Sequence, residues 1–152
     1  MSKSILFVCT GNTCRSPMAE ALAKSILQNN SIEAQIRSAG VSAWDGTAAS
    51  KNAIVAMLSH KLDLSAHKSS QVTQELLETA SIVLTMTRGH LQIVQSIHKD
   101  ANAFTLTEYA GSKGDISDPF GGDLKTYKKC ATQIKQLIES SVAKLREDLW
   151  KA

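Results

Sequence analysis

Short apolar runs alternate along the chain with longer amphipathic stretches. Ser4–Val8 is a continuous apolar, β-prone run, the pattern of a strand covered on both faces of a parallel sheet. The next seven residues, Cys9-Thr10-Gly11-Asn12-Thr13-Cys14-Arg15, have no apolar periodicity and read as a loop. Ser16-Pro17 then predicts a helix start, with Ser16 as the N-cap and Pro17 in the first helical position. Met18, Ala21, Leu22, Ser25 and Ile26 recur at helical spacing until Asn29-Asn30. The alternation over Glu33–Ser38 predicts a strand closing at Ala39-Gly40. A second helix is expected from Ala48 to Leu58, with Ala53, Ile54, Met57 and Leu58 on one face. Ser65–Gln71 is polar and reads as a loop, and Glu75–Glu78 as a helical turn. Ser81–Met86 is another buried strand, and Thr87 is placed to cap a helix carrying Leu91, Val94 and Ile97. Ala103–Leu106 predicts a fourth, short strand, and the Gly-rich stretch Tyr109–Asp123 a long loop. The final helix is marked by Leu124, Tyr127, Ala131, Ile134, Ile138, Val142, Leu145 and Leu149.

Strands alternating with helices imply an α/β fold: a parallel sheet with helices on both faces. No repeat or linker divides the chain, so one domain over residues 1–152 is expected. Ligands of such sheets bind beyond the C-terminal ends of the strands, at the switch point. The Cys9–Arg15 loop falls there.

Composition narrows the class. Of 152 residues, 43% are hydrophobic and 20% charged, which excludes a disordered, collagen-like or coiled-coil chain. No apolar run approaches the ~18 residues of a membrane span. Met1–Val8 has no secretory pattern, so a cytoplasmic protein without a membrane partner is expected. The charge balance is 17 − 14 = +3, too small to argue for nucleic acid. Lys125, Lys128, Lys129 and Lys135 read as the solvated face of the last helix. Three cysteines, Cys9, Cys14 and Cys130, are an odd number and do not suggest a disulfide framework.

The chemistry concentrates at Cys9-x5-Arg15-Ser16. A seven-residue loop between a strand and a helix can wrap its backbone N–H groups around an anion, and the helix N-terminus adds partial positive charge. Gly11 permits close backbone approach, and Asn12 tolerates a left-handed conformation. Arg15 offers a planar fork for two phosphoryl oxygens. Cys9 at the base of this cradle is expected as a thiolate, with the Ser16 hydroxyl bonded to it in addition to, or instead of, capping the helix. A thiolate beneath a tetrahedral oxyanion is placed for in-line attack on phosphorus. The bland alternative is a buried Cys and a surface Arg. Cys9 and Cys14 lack the second Cys/His pair that a zinc site needs, and no G-x4-G-K-[ST] nucleotide loop is present.

Val8-Cys9-Thr10-Gly11-Asn12-Thr13-Cys14-Arg15-Ser16-Pro17 resembles the signature of the low-molecular-weight protein-tyrosine phosphatases. The resemblance runs along the chain through Arg37-Ser38-Ala39-Gly40, Ser65-Ala66-His67 and Asp118-Pro119-Phe120-Gly121-Gly122. It implies a four-stranded parallel sheet, a phosphocysteine intermediate, and neither metal nor cofactor. It implies that Asp118 is the general acid, that Asn12 and Ser16 organise the loop and thiolate, and that Ser38 and His67 buttress the loop through hydrogen bonds. It makes Trp44 and Phe120 walls of the cleft, although Trp44 also reads as a partly buried loop aromatic. It pairs Cys9 with Cys14 in a disulfide under oxidation, the alternative being an inert Cys14 thiol. Cys130 lies near the apolar face of the last helix and reads as core packing.

Thr13 and Phe120 depart from the tyrosine phosphatases, which generally carry a bulkier aliphatic residue and a tyrosine there. Both residues, with the block Cys9–Glu20, resemble the bacterial protein-arginine phosphatase branch. The expected substrates are therefore phosphorylated proteins, foremost phosphoarginine proteins, with phosphotyrosine as the alternative and a monomer as the acting form. A thioredoxin-coupled arsenate reductase would need two further cysteines, which the stretch between Cys14 and Cys130 lacks. A non-catalytic phospho-binding module would be marked by loss of Cys9, Arg15 or Asp118, and all three are present.

Overall fold

The computed structural model describes residues 3–151. Strands β1 (Ser4–Cys9), β2 (Gln35–Gly40), β3 (Ile82–Thr85) and β4 (Ala103–Thr105) form one sheet in the order β2-β1-β3-β4. Every pairing is parallel. The helices are α1 (Arg15–Asn29), α2 (Lys51–Leu58), α3 (Gln74–Thr79), α4 (Arg88–Ile97), α5 (Leu106–Tyr109) and α6 (Leu124–Lys151).

The continuous apolar run of β1 is explained by burial on both of its faces. Ile5, Phe7 and Cys9 join the larger apolar layer with Met18 and Leu22 of α1 and Ile134 and Ile138 of α6. Leu6 and Val8 point the other way, to Leu77, Val83 and Val94. Full burial of such a side chain contributes roughly 1.5–3 kcal/mol, so neither face of β1 tolerates a polar residue. The chain leaves β1 for β2 on one side and returns to β3 on the other. A crevice therefore opens above the C-terminal end of β1, beside Gly40.

Hydroxyl caps start most of the helices: Ser50, Thr73, Thr87 and Thr105 accept from the backbone N–H of Ala53, Leu76, His90 and Glu108. Helix α1 is the exception and corrects the sequence reading. It begins at Arg15, the residue before it is Cys14, and no side chain caps it. Ser16 lies inside the first turn, where its hydroxyl is drawn to Cys9 instead. Several boundaries also differ, the following ones most. Strand β2 starts at Gln35 rather than Glu33. Helix α2 starts at Lys51, because Ser50 takes the cap and Ala48 bridges Lys68. Strand β4 stops at Thr105, and Leu106, expected in the strand, instead opens α5, one short turn capped by Thr105 that also takes in Tyr109 from the expected loop. No helix of the described residues is long and apolar enough to cross a membrane.

Candidate active site

The loop from Cys9 to Ser16 closes over the C-terminal end of β1, and much of it is bonded from within. Asn12 adopts φ 57°, the left-handed region that its side chain tolerates. Asn12 Nδ2 donates to Ser16 Oγ at 2.8 Å, and Ser16 Oγ lies 2.8 Å from Cys9 Sγ. With Asn12 donating to its oxygen, the Ser16 O–H is left to donate to sulfur or to the Ala39 carbonyl, which lies 3.4 Å away. Both Cys9 and Ser16 are buried.

Other segments hold the loop from outside. His67 Nε2 donates to the Asn12 carbonyl at 2.8 Å, which fixes that ring nitrogen as the protonated one. The Ser70 N–H donates to Asn12 Oδ1 at 2.9 Å, and the Ser50 N–H to the Thr13 carbonyl at 2.9 Å. Residues 40–42 run alongside, with the Val41 and Ser42 N–H groups donating to the Cys9 and Thr10 carbonyls at 2.9 Å. Gly40 is required for this approach. A Cβ there would collide with the Thr10 carbonyl oxygen and stand 2.9 Å from the Asn12 nitrogen, both rigid backbone atoms. Gly40→Ala is therefore expected to destabilise the fold by about 2 kcal/mol or more. Denaturant unfolding should also show the loss of stabilisation by inorganic phosphate; an unchanged midpoint would exclude the clash.

Arg15 is only 4% exposed. Its Nη1 donates to the Ile116 carbonyl at 2.8 Å, and its Nη2 donates to Thr10 Oγ1 at 3.4 Å and stands 3.6 Å from Asp118 Oδ2. Asp118 is half-exposed, and its Oδ1 accepts from the Phe120 N–H at 3.0 Å, which fixes the carboxylate at the mouth. Cys9, Thr10, Gly11, Thr13, Cys14, Arg15, Asp118 and Phe120 together line a cleft of about 200 Å³. A nucleophile, a guanidinium and a carboxylate thus face one small hollow. That set can bind a phosphoryl group, accept it on sulfur and exchange a proton with whatever leaves.

Two expected residues sit elsewhere. Ser38 does not bond the loop: its Oγ donates to Glu20 Oε1 at 2.6 Å, because its position beside Phe7 directs it to α1. Trp44 is 84% exposed and does not line the cleft, whereas Phe120, 74% exposed, lies at the rim.

Three residues of the site carried no sequence signal. Cys14 Sγ lies 3.4 Å from both Ser50 Oγ and Tyr127 Oη. Burial, and then the contact with Cys14, pushes the Tyr127 phenol up. Tyr127 read only as part of an apolar stripe. His90 Nε2 lies 2.8 Å from Thr10 Oγ1. Burial foremost, and Arg15 next, push His90 down to about 4, so it is neutral at ordinary pH. All three cysteines are free thiols. Burial pushes Cys130 up to about 12, which suits a packing residue rather than a reactive one.

With this loop and fold, the chain belongs to the low molecular weight phosphotyrosine protein phosphatase family, whose pattern it matches over residues 4–151. It is 45% identical over 148 residues to a protein-arginine-phosphatase of Bacillus subtilis (strain 168), covering 95% of this chain and 97% of that protein. It is 42% identical over 136 residues to the low molecular weight protein-tyrosine-phosphatase PtpB of Staphylococcus epidermidis, covering 89% and 94%. Its fold superposes with a TM-score of 0.91 on the structure of a YwlE arginine phosphatase mutant with a phosphorylated active-site serine, 43% identical over 95% of this chain and 97% of that one.

Proposed function

We propose that the protein is a cysteine-dependent protein phosphatase that hydrolyses phosphoarginine. The observation that carries the chemistry is the buried Cys9 Sγ, 2.8 Å from Ser16 Oγ, at the base of a cleft that Arg15 and Asp118 share. In the first step the Cys9 thiolate attacks phosphorus while Arg15 and the loop N–H groups hold the phosphoryl oxygens. The P–N bond breaks, its electron pair stays on the guanidine nitrogen, and protonated Asp118 supplies the proton. In the second step Asp118, now a carboxylate, takes a proton from water, which attacks the phosphocysteine. Inorganic phosphate leaves, the Cys9 thiolate returns, and Asp118 is protonated again.

Two features favour phosphoarginine. Thr13 presents a small polar surface in the cleft, suited to a guanidinium, where a larger aliphatic residue would pack against a phenyl ring. The relatives named as arginine phosphatases extend over nearly the whole chain. Thr13→Ile is expected to shift the kcat/KM ratio toward phosphotyrosine by tenfold or so; an unchanged ratio removes Thr13 as the selector. Phosphotyrosine hydrolysis is the second reading, favoured by the PtpB relative. Measuring kcat/KM on matched phosphoarginine and phosphotyrosine peptides, with Cys9→Ser as blank, decides between them. A phosphotyrosine preference would assign the same cysteine chemistry to a phosphate ester instead of a P–N bond.

The reading extends to phosphorylated proteins as substrates, a cytoplasmic monomer as the acting form, and Cys14 as the thiol that pairs with Cys9 under oxidation. His67 is read as a buttress of the loop through Asn12.

A further inference from the structure

Besides its ion pair with Asp118 at 3.6 Å, Arg15 is held by two hydrogen bonds of different stiffness. The Nη1 tether is backbone: the Ile116 carbonyl accepts it, and the Ile116 N–H in turn donates to the Met86 carbonyl at 2.9 Å, at the end of β3. The Nη2 tether is the Thr10 hydroxyl, a side chain that can rotate. What holds that hydroxyl is His90 Nε2, at 2.8 Å. The imidazole is buried, and its residue sits in the first turn of α4, where the His90 backbone N–H donates to Thr87 Oγ1 at 3.1 Å. The same turn is fixed by the Arg88 N–H donating to Asp115 Oδ1 at 2.9 Å. The second ring nitrogen, Nδ1, is buried and has no partner among the described residues. A buried imidazole with one nitrogen unpaired is costly, and its one side-chain hydrogen bond is to the loop.

We propose that His90 is a positioning residue for phosphoryl binding: through the Thr10 hydroxyl it fixes the Nη2 arm of Arg15, so that the guanidinium fork is set before the substrate arrives. The role rests on the reading of Arg15 as the phosphoryl-binding group. A neutral ring suits it, because a second cation beside Arg15 would push the fork away. The charged groups that face the ring are Arg15, Asp115 and Asp118, and burial with Arg15 outweighs the two carboxylates. Preorganising the fork spares its ordering on binding. Its loss falls on phosphate affinity and KM more than on kcat, since the oxygens are held in the ground state as well as the transition state.

The test is competitive inhibition by inorganic phosphate, together with steady-state kinetics and thermal unfolding. His90→Leu and Thr10→Val should each raise the phosphate Ki and the KM by about tenfold. His90→Gln, whose terminal amide reaches the same hydroxyl, should stay within about threefold of the parent. The double variant His90→Leu/Thr10→Val should be no worse than either single one, because both remove the same tether. A purely structural role would instead lower the melting temperature and leave the phosphate Ki unmoved. Unchanged inhibition in both single variants, or losses that multiply in the double, would overturn the inference. If His90→Leu fails to fold, Thr10→Val against His90→Gln decides alone: an unchanged Ki in Thr10→Val overturns it. Arg15→Lys separates the two levels. If it leaves the phosphate Ki unchanged, the reading of Arg15 fails. If it raises Ki while Thr10→Val and His90→Leu do not, only the role of His90 fails.

Discussion

Replacing Cys9 with serine is expected to lower turnover on phosphoarginine and phosphotyrosine peptides by roughly 10⁴-fold or more. The change is one atom in a buried position at the end of β1, so the core is nearly untouched. What changes is ionisation. A hydroxyl at that place stays protonated, and the Ser16 and Asn12 hydrogen bonds, which stabilise an anion at Cys9, have no anion to stabilise. The cleft, Arg15 and the loop N–H groups remain, so inorganic phosphate should still stabilise the variant against thermal unfolding. Steady-state release of phosphate measures the loss, and retained turnover would remove Cys9 from the nucleophile's role.

The second large effect is expected from Asp118→Asn, which should lower kcat on phosphoarginine peptides by about 10²–10⁴-fold. The guanidine nitrogen is a poor leaving group unless it is protonated as the P–N bond breaks, and the amide of Asn cannot deliver that proton. The loss should shrink on an aryl phosphate with a strongly acidic phenol, because that leaving group departs as an anion without help. An equal loss on both substrates would mean that Asp118 acts through its ion pair with Arg15 rather than as an acid.

Much of the architecture was legible because period and burial agree. Ser4–Val8 reads as a two-sided strand, and its odd and even residues do enter different apolar layers. Thr87 reads as a cap and accepts the His90 N–H. The family and the phosphate-loop resemblance were equally visible, since strand, loop and helix start lie in one stretch. At Ser16 the sequence offers both a helix cap and a partner for the Cys9 sulfur, and only the second is made, so α1 starts without a cap. What escaped is what long-range contact decides. Ser38 has the right type for a loop buttress, yet its partner is Glu20. Tyr127 obeys the apolar period of α6 while its hydroxyl reaches Cys14, and His90 lies on a helix with nothing local to mark it. A lone polar atom on an amphipathic helix carries no sign of what its far end will meet.

The buttresses of the catalytic loop have a consequence for how the protein comes into being. The loop is built of residues 9–16, but its partners lie far downstream: Asn12 to His67 spans 55 residues, Thr10 to His90 spans 80, and Arg15 to Ile116 spans 101. Cys14 meets Tyr127 only across 113 positions. During synthesis the cysteine read as the nucleophile emerges among the first residues, while the groups that hold its loop in shape emerge well after it. A chain stalled on the ribosome before His67, or cut there by a protease, holds the whole signature but lacks the His67, His90, Ile116 and Tyr127 partners that order it. Enzymatic competence therefore reports completion of the fold, and an unfinished copy cannot strip phosphate from the proteins around it.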